Sequence, residues 1–144
     1  MTNTFADIIY ELGKNIDLDL SLDTKNTCTL LIDEKLSVQI EFDKATDNLL
    51  LAAFISPLPP GKFREKVLLS ALKTNFSSPL CPILSYNERN NQLALFEYLS
   101  LDKTDGKNLY NKLAEFIDIA IRWQKAIESG RSFPEEKKSS SSSF

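Results

Sequence analysis

Near the start of the chain, Phe5, Ile8, Ile9, Leu12 and Ile16 recur at helical spacing. They predict a first helix over residues 4–15, with Thr4 and Asp7 forming an acidic variant of the capping pattern. Residues 28–33 read as a strand, followed by a tight turn at Asp33, Glu34 and Lys35. Residues 36–42 then alternate: Leu36, Val38, Ile40 and Phe42 point one way, and Ser37, Gln39 and Glu41 the other. That is the signature of an antiparallel strand with one wet face. Residues 49–55 show no alternation, which predicts a strand covered on both faces. The three strands make a meander.

Pro57, Pro59, Pro60 and Gly61 end the strand run and set up a second helix over residues 62–75. At about 100° per residue, Phe63, Val67 and Ala71 share one face. Leu68, Leu69, Leu72 and Phe76 form a separate, nearly opposed arc, leaving a narrow wet side of Lys66, Ser70 and Lys73. A helix apolar on two sides is sandwiched, by the sheet on one side and by something else on the other. Residues 83–86 and 92–99 read as a hairpin, and a last helix starts near Asp102 as N-cap and stops at Gly130. Its stripe is Leu109, Leu113, Phe116, Ala120, Trp123 and Ile127, flanked by Ile117, Ile119 and Ile121. The predicted fold is therefore α+β, in the order α-β-β-β-α-β-β-α, with an antiparallel twisted sheet and helices packed on it. One domain is expected over residues 1–130. The serine-rich run over residues 131–144 cannot build a core and is expected to be a disordered tail.

Length and composition agree with this division. A chain of 144 residues buries roughly two-thirds of its unfolded surface, enough for one core without metals or disulfides. The net charge of −3 lacks the basic face that a nucleic-acid partner requires. Cys28 and Cys81 have no CxxC spacing, so both are expected as reduced, buried thiols. The first residues carry Asp7 and Glu11 where a signal peptide needs an uninterrupted apolar core. No apolar run approaches the roughly 18 residues of a membrane span. The cytoplasm is the expected compartment.

Catalytic chemistry is missing from the pattern. There is no histidine, so Ser–His and Cys–His pairs cannot form within one chain. Four glycines are too few for a phosphate-cradling or dinucleotide loop in this arrangement. Asp17, Asp19 and Asp23 begin like a calcium loop, but Leu22 stands where the turn glycine belongs and Cys28 where the bidentate glutamate belongs. Asp33 and Glu34 sit in a turn and remain solvated, and Trp123 lies on the core stripe of its helix. Arg64, Lys66 and Lys73 are expected as solvated helix charges. The chain is expected to be no enzyme and to need no cofactor or metal.

The order of elements, with Leu68-Leu69 and Asn75-Phe76 in the second helix, Leu93 and Leu95 in the hairpin, and Leu113, Phe116, Ala120 and Trp123 in the last helix, resembles the class I type III secretion chaperones of the Tir-chaperone family. The resemblance covers residues 4–127. It departs at Pro79, Cys81 and Pro82, where a glycine-containing approach to the strand would be expected. The resemblance implies a homodimer, or a heterodimer with a related chaperone. It implies binding to the N-terminal segment of secreted effector proteins, kept extended and secretion-competent, and delivery to the export ATPase complex of a bacterium. An extended client can add hydrogen bonds at a strand edge and place alternate side chains in pockets. On that footing Leu68, Leu69, Leu72 and Phe76 are expected at the dimer interface, and Phe5, Ile8, Ile9, Leu12 and Leu31 in the effector-binding groove. Leu31 stands apart as an apolar residue on an otherwise polar strand face with Thr29 and Asp33. The competing reading is a regulatory or adaptor domain of the same architecture that binds folded partners.

Overall fold

The computed structural model describes residues 4–18, 20–77 and 82–134. The expectations for Cys81, for the Pro79 approach and for residues 135–144 of the tail lie outside these. The elements follow the expected order: α1 Phe5–Asn15, β1 Thr27–Ile32, β2 Leu36–Asp43, β3 Asn48–Pro57, α2 Lys62–Ser77, β4 Ile83–Asn87, β5 Gln92–Ser100 and α3 Gly106–Glu128. The five strands form one antiparallel sheet in the order β1-β2-β3-β5-β4.

Local chemistry accounts for most boundaries. Thr4 caps α1: its hydroxyl accepts from the Asp7 N–H and the Asp7 carboxylate accepts from the Thr4 N–H, both at 3.2 Å. Asp33 and Glu34 both adopt positive φ, 50° and 59°, closing the β1–β2 turn with Lys35 N–H on the Ile32 carbonyl. The last helix begins later than expected. Asp102 falls in a short 3-10 turn, Leu101–Lys103, and Asp105 is the N-cap, its carboxylate accepting from the Asn108 N–H at 2.7 Å.

One face of the sheet carries Cys28, Leu30, Leu36, Val38, Ile40, Leu49, Leu51, Leu93 and Leu95, all buried. On it sit α1, through Phe5, Ile8, Ile9 and Leu12, and the expected stripe of α3 from Leu109 to Ile127. The two helices are clamped where α3 begins. The Glu11 carboxylate accepts from the Gly106 N–H at 2.9 Å, next to the positive end of the helix dipole. A Cβ at Gly106 would lie 2.3 Å from the Glu11 Cβ, so only glycine permits this approach. Farther along α3, the Gln124 amide, itself buried, donates to the carbonyls of Ile55 at 2.9 Å and Lys35 at 3.2 Å. Ile55 is free to accept because the β3–β5 register shifts between Phe54 and Ser56.

That bulge also corrects the reading of β3. Its apolar run is not covered twice within the chain. Leu49, Leu51 and Ala53 are buried, whereas Leu50 and Ala52 are half-buried and Phe54 is 46% exposed. Past the bulge, Ile55 and Ser56 are both buried. The outer side of β3 and β5 is an apolar surface of Leu50, Ala52, Phe54, Ala94, Phe96 and Tyr98 that no described helix of this chain covers.

The second helix lies against β4. Val67 and Ala71 are buried and Phe63 half-buried. Arg64 is not a free surface charge: its Nη1 donates to the Tyr86 hydroxyl at 2.7 Å, and that hydroxyl donates to the Asn91 side-chain oxygen. The Asn75 amide takes both backbone groups of Leu84, donating to its carbonyl at 2.8 Å and accepting from its N–H at 2.9 Å. Since Leu84 also pairs with Leu95 of β5 across the inner side of the strand, Asn75 imitates a neighbouring strand on the outer edge of β4.

Candidate functional site

The opposite edge of the sheet is different. Along an antiparallel strand, successive residues turn their N–H and C=O pairs to alternate sides. Thr27 spends its pair on Asp23: its carbonyl accepts from the Asp23 N–H at 3.0 Å and its N–H donates to the Asp23 carboxylate at 2.9 Å. The outward-turned positions of β1 are therefore Thr27, Thr29 and Leu31, and Cys28, Leu30 and Ile32 face β2. Among the described residues no strand pairs with Thr29 or Leu31 from the outside. Two consecutive outward positions of an edge strand are thus open to an added chain.

A groove of about 470 Å³ opens beside this edge. Its floor and walls come from three pieces of chain: Ile16, Leu18 and Leu20 after α1, residues 29–32 of β1, and Tyr110, Leu113, Ala114 and Ile117 of α3. The lining is aliphatic, with Thr29 and Tyr110 as its hydroxyl-bearing side chains. An extended peptide laid along β1 would have backbone partners on the strand and apolar room for side chains next to it.

Of the residues expected to line a groove, the structure leaves Leu31 accessible, at 65% exposure, and it lines the one described. Phe5, Ile8, Ile9 and Leu12 are in the core; their apolar face is spent on the sheet, and Phe5 stacks on Phe42 at 5.8 Å between ring centroids. Sequence reasoning does not pick out Ile16, Leu18, Leu20, Tyr110, Ala114 or Ile117 as groove residues. The alternation Leu18, Leu20, Leu22 is the available signal. On α2, Leu69, Leu72 and Phe76 project into solvent, Phe76 with 89% of its surface exposed, and Leu68 is half-buried against the core. The structure therefore brings the two-sided helix to the surface, with Leu69, Leu72 and Phe76 of its second apolar arc exposed among the described residues.

Among the described residues, burial shifts the titration of Cys28 and Glu97. Burial pushes the Cys28 thiol above its usual range, which leaves it protonated and unreactive. Burial also raises the Glu97 carboxyl, against the opposing pull of Lys112, 3.7 Å away, while Glu115 adds to the rise. Among the described residues no group of three or more His, Cys, Asp or Glu could hold a metal ion. Asp23, from the acidic trio, is occupied in its turn, accepting from the N–H groups of Lys25 and Thr27. No described helix is long and apolar enough to cross a membrane.

Comparison with known proteins adds the family. Curated protein sequences give no match. Among solved structures, the chain is similar to one in the HopA1–SchA chaperone–effector complex, at 19% identity and a TM-score of 0.71, covering 85% of this chain and 94% of that one. It is equally similar to a chain of the ExsC–ExsE complex, at 21% identity and a TM-score of 0.71, covering 90% and 93%. A third is in the Yersinia pestis complex of the type III secretion chaperone SycH with a fragment of YscM2, at 18% identity and a TM-score of 0.68, covering 82% and 98%. At these identities the likeness is one of fold. The sequence itself matches the model of the Tir chaperone protein (CesT) family over residues 7–124, and with that match spanning α1 to the buried end of α3, the chain belongs to the Tir chaperone (CesT) family.

Proposed function

We propose that this protein is a type III secretion chaperone of the bacterial cytoplasm that binds the N-terminal segment of a secreted effector and holds it extended for delivery to the export ATPase complex. The carrying observation is the open edge of β1, with Thr29 and Leu31 turned outward beside an aliphatic groove. A backbone added there stays extended, because pairing with a strand fixes it in β geometry. The groove takes one side-chain face of the client, and Leu31 packs on it from the strand. Leu69, Leu72 and Phe76, with Leu68 behind them, carry a twofold contact between copies of α2. A similar fold occurs in a structure described as a chaperone–effector complex, which supports the same use here.

Co-expression with the first segment of an effector, followed by co-purification, tests this reading. The wild-type chain should retain the segment, and Leu31→Asp should release it by placing a charge in the apolar contact. Retention by Leu31→Asp at wild-type level would reject the β1 edge as the site. For the second copy, light scattering on Leu72→Asp should report a monomer, since an unpaired charge in a buried contact is costly. A dimer in that variant would reject α2 as the interface.

A further inference from the structure

Residues 20–23, Leu-Ser-Leu-Asp, enter the proposed function only through Leu20 in the groove wall. Their far end has the geometry of a hairpin. The Asp23 carbonyl accepts from the Asn26 N–H at 3.1 Å, and the Asp23 N–H donates to the Thr27 carbonyl at 3.0 Å. Asn26 takes the left-handed conformation, φ 58°. That is a tight turn followed by a left-handed residue, the usual three-residue loop between two antiparallel strands. The Asp23 side chain reinforces it through Lys25 and Thr27. After this first pair the ladder stops; residues 20–22 have no regular pairing.

Continuing the register from Asp23 opposite Thr27 sets Leu22 opposite Cys28, Ser21 opposite Thr29 and Leu20 opposite Leu30. The sidedness agrees at each step. Cys28 and Leu30 are buried, and Leu20 and Leu22 pack against the same core. Ser21 and Thr29 are both exposed. A one-residue slip would put leucines outside and Ser21 inside, so the pattern specifies one register. Thr29 is the residue whose backbone pair points outward and stands open.

We propose that residues 20–23 are a reserve strand of this chain, which zips onto the outer edge of β1 from the preformed turn at Asp23 and in that closed form covers Thr29, the structure described being the open form. The closed form guards an edge that would otherwise pair with any passing strand. If the client is added at the same edge, as the proposed function holds, then it and the reserve strand compete for Thr29. The self-pairing itself needs no client.

Amide hydrogen exchange of the full chain, read by NMR at Thr29 with Leu31 as internal reference, tests it. Closure should slow Thr29 at least tenfold relative to Leu31. Asn26→Gly, which favours the left-handed position, should slow Thr29 further. Asn26→Val, a branched residue disfavoured there, should speed it. Ser21→Pro removes the N–H that would donate to Thr29 and should abolish the slowing while the core amides keep theirs. Equal exchange at Thr29 and Leu31 in the wild-type chain, or no response at Thr29 to either Asn26 substitution, overturns the proposal. No client enters these measurements, so such a result would leave the proposed function standing.

Discussion

Replacing Gly106 by alanine should destabilise this protein, although the same change at most helix starts is neutral or favourable. The general expectation is a gain, since alanine has up to about 1 kcal/mol more helix propensity than glycine. Here the added Cβ would lie 2.3 Å from the Glu11 Cβ, 2.8 Å from its Oε2 and 3.1 Å from its backbone carbon. Ordinary carbon contacts lie at about 3.5–4.0 Å, so the α1 and α3 backbones must part by about 1 Å. Two of the three obstructing atoms are fixed to the α1 backbone and cannot swing away. Overpacking of this kind costs about 1–3 kcal/mol. Separation also stretches the 2.9 Å bond from the Gly106 N–H to the Glu11 carboxylate, a charged bond worth about 1.5–3 kcal/mol when intact. Part of that bond survives because the site is only partly buried, and the propensity gain offsets another part. A net loss of about 2–4 kcal/mol remains, or a fall in Tm of about 6–15 °C for a chain of this size. Thermal unfolding followed by circular dichroism measures it. Glu11→Gln is the control: it keeps every heavy atom in place, removes the charge, and should cost about 1 kcal/mol. An unchanged or raised Tm for Gly106→Ala would show that the helices do not cross this closely in solution.

Three further outcomes follow from other parts of the molecule. Burial raises the folded-state pKa of Glu97, so the folded chain binds this proton more tightly than the unfolded one and folding gains as pH falls through the raised value toward the ordinary carboxylate range. Glu97→Gln cancels that gain, so its Tm relative to wild type should be more favourable at neutral pH than near pH 4; a pH-independent difference would contradict it. Glu34→Gly relieves a left-handed non-glycine residue and, after the extra entropy of glycine, should stabilise by about 0.5–1 kcal/mol in denaturant titration; a loss would mean that the Glu34 side chain contributes to the turn. Truncation after Pro134 should leave Tm within a degree or two, whereas cutting before Arg131 removes an N–H bonded to the Ala126 carbonyl at 2.8 Å at the end of α3 and should cost more.

Elements with a strong period are legible in the amino-acid sequence. The alternation in β2 maps onto its buried face from Leu36 to Ile40 and fades at the half-buried Phe42, and the stripe of α3 is buried from Leu109 to Ile127. Departures arise where periodicity falls silent. The sequence reading starts α3 at Asp102, but Asp105 caps it through the Asn108 N–H, next to the tight crossing at Gly106. In β3 a continuous apolar run suggests cover on both faces, yet the chain covers one; a single sequence does not say whether apolar surface is met by its own helices or by another molecule. For α1 the spacing identifies the apolar face but not its destination, and Ile8 and Leu12 are fully buried. The groove is harder still to read, because it is assembled from β1, α3 and an irregular stretch. Asp17, Asp19 and Asp23, which resemble a defective calcium loop, contain in Asp23 the pivot of a turn.

The two borders of the sheet have consequences for stoichiometry. At the β4 border, Asn75 occupies both backbone hydrogen-bonding groups of Leu84, and α2 lies against the strand. At the β1 border, the vacancy is about two residues wide and ends at Thr27, whose groups are already engaged. A sheet that accepts an addition on one side only, and only briefly, cannot propagate through copies of itself. Under the proposed function each chain would hold one borrowed strand and stop, so the complex would remain finite at the high concentrations at which exposed strands otherwise polymerise.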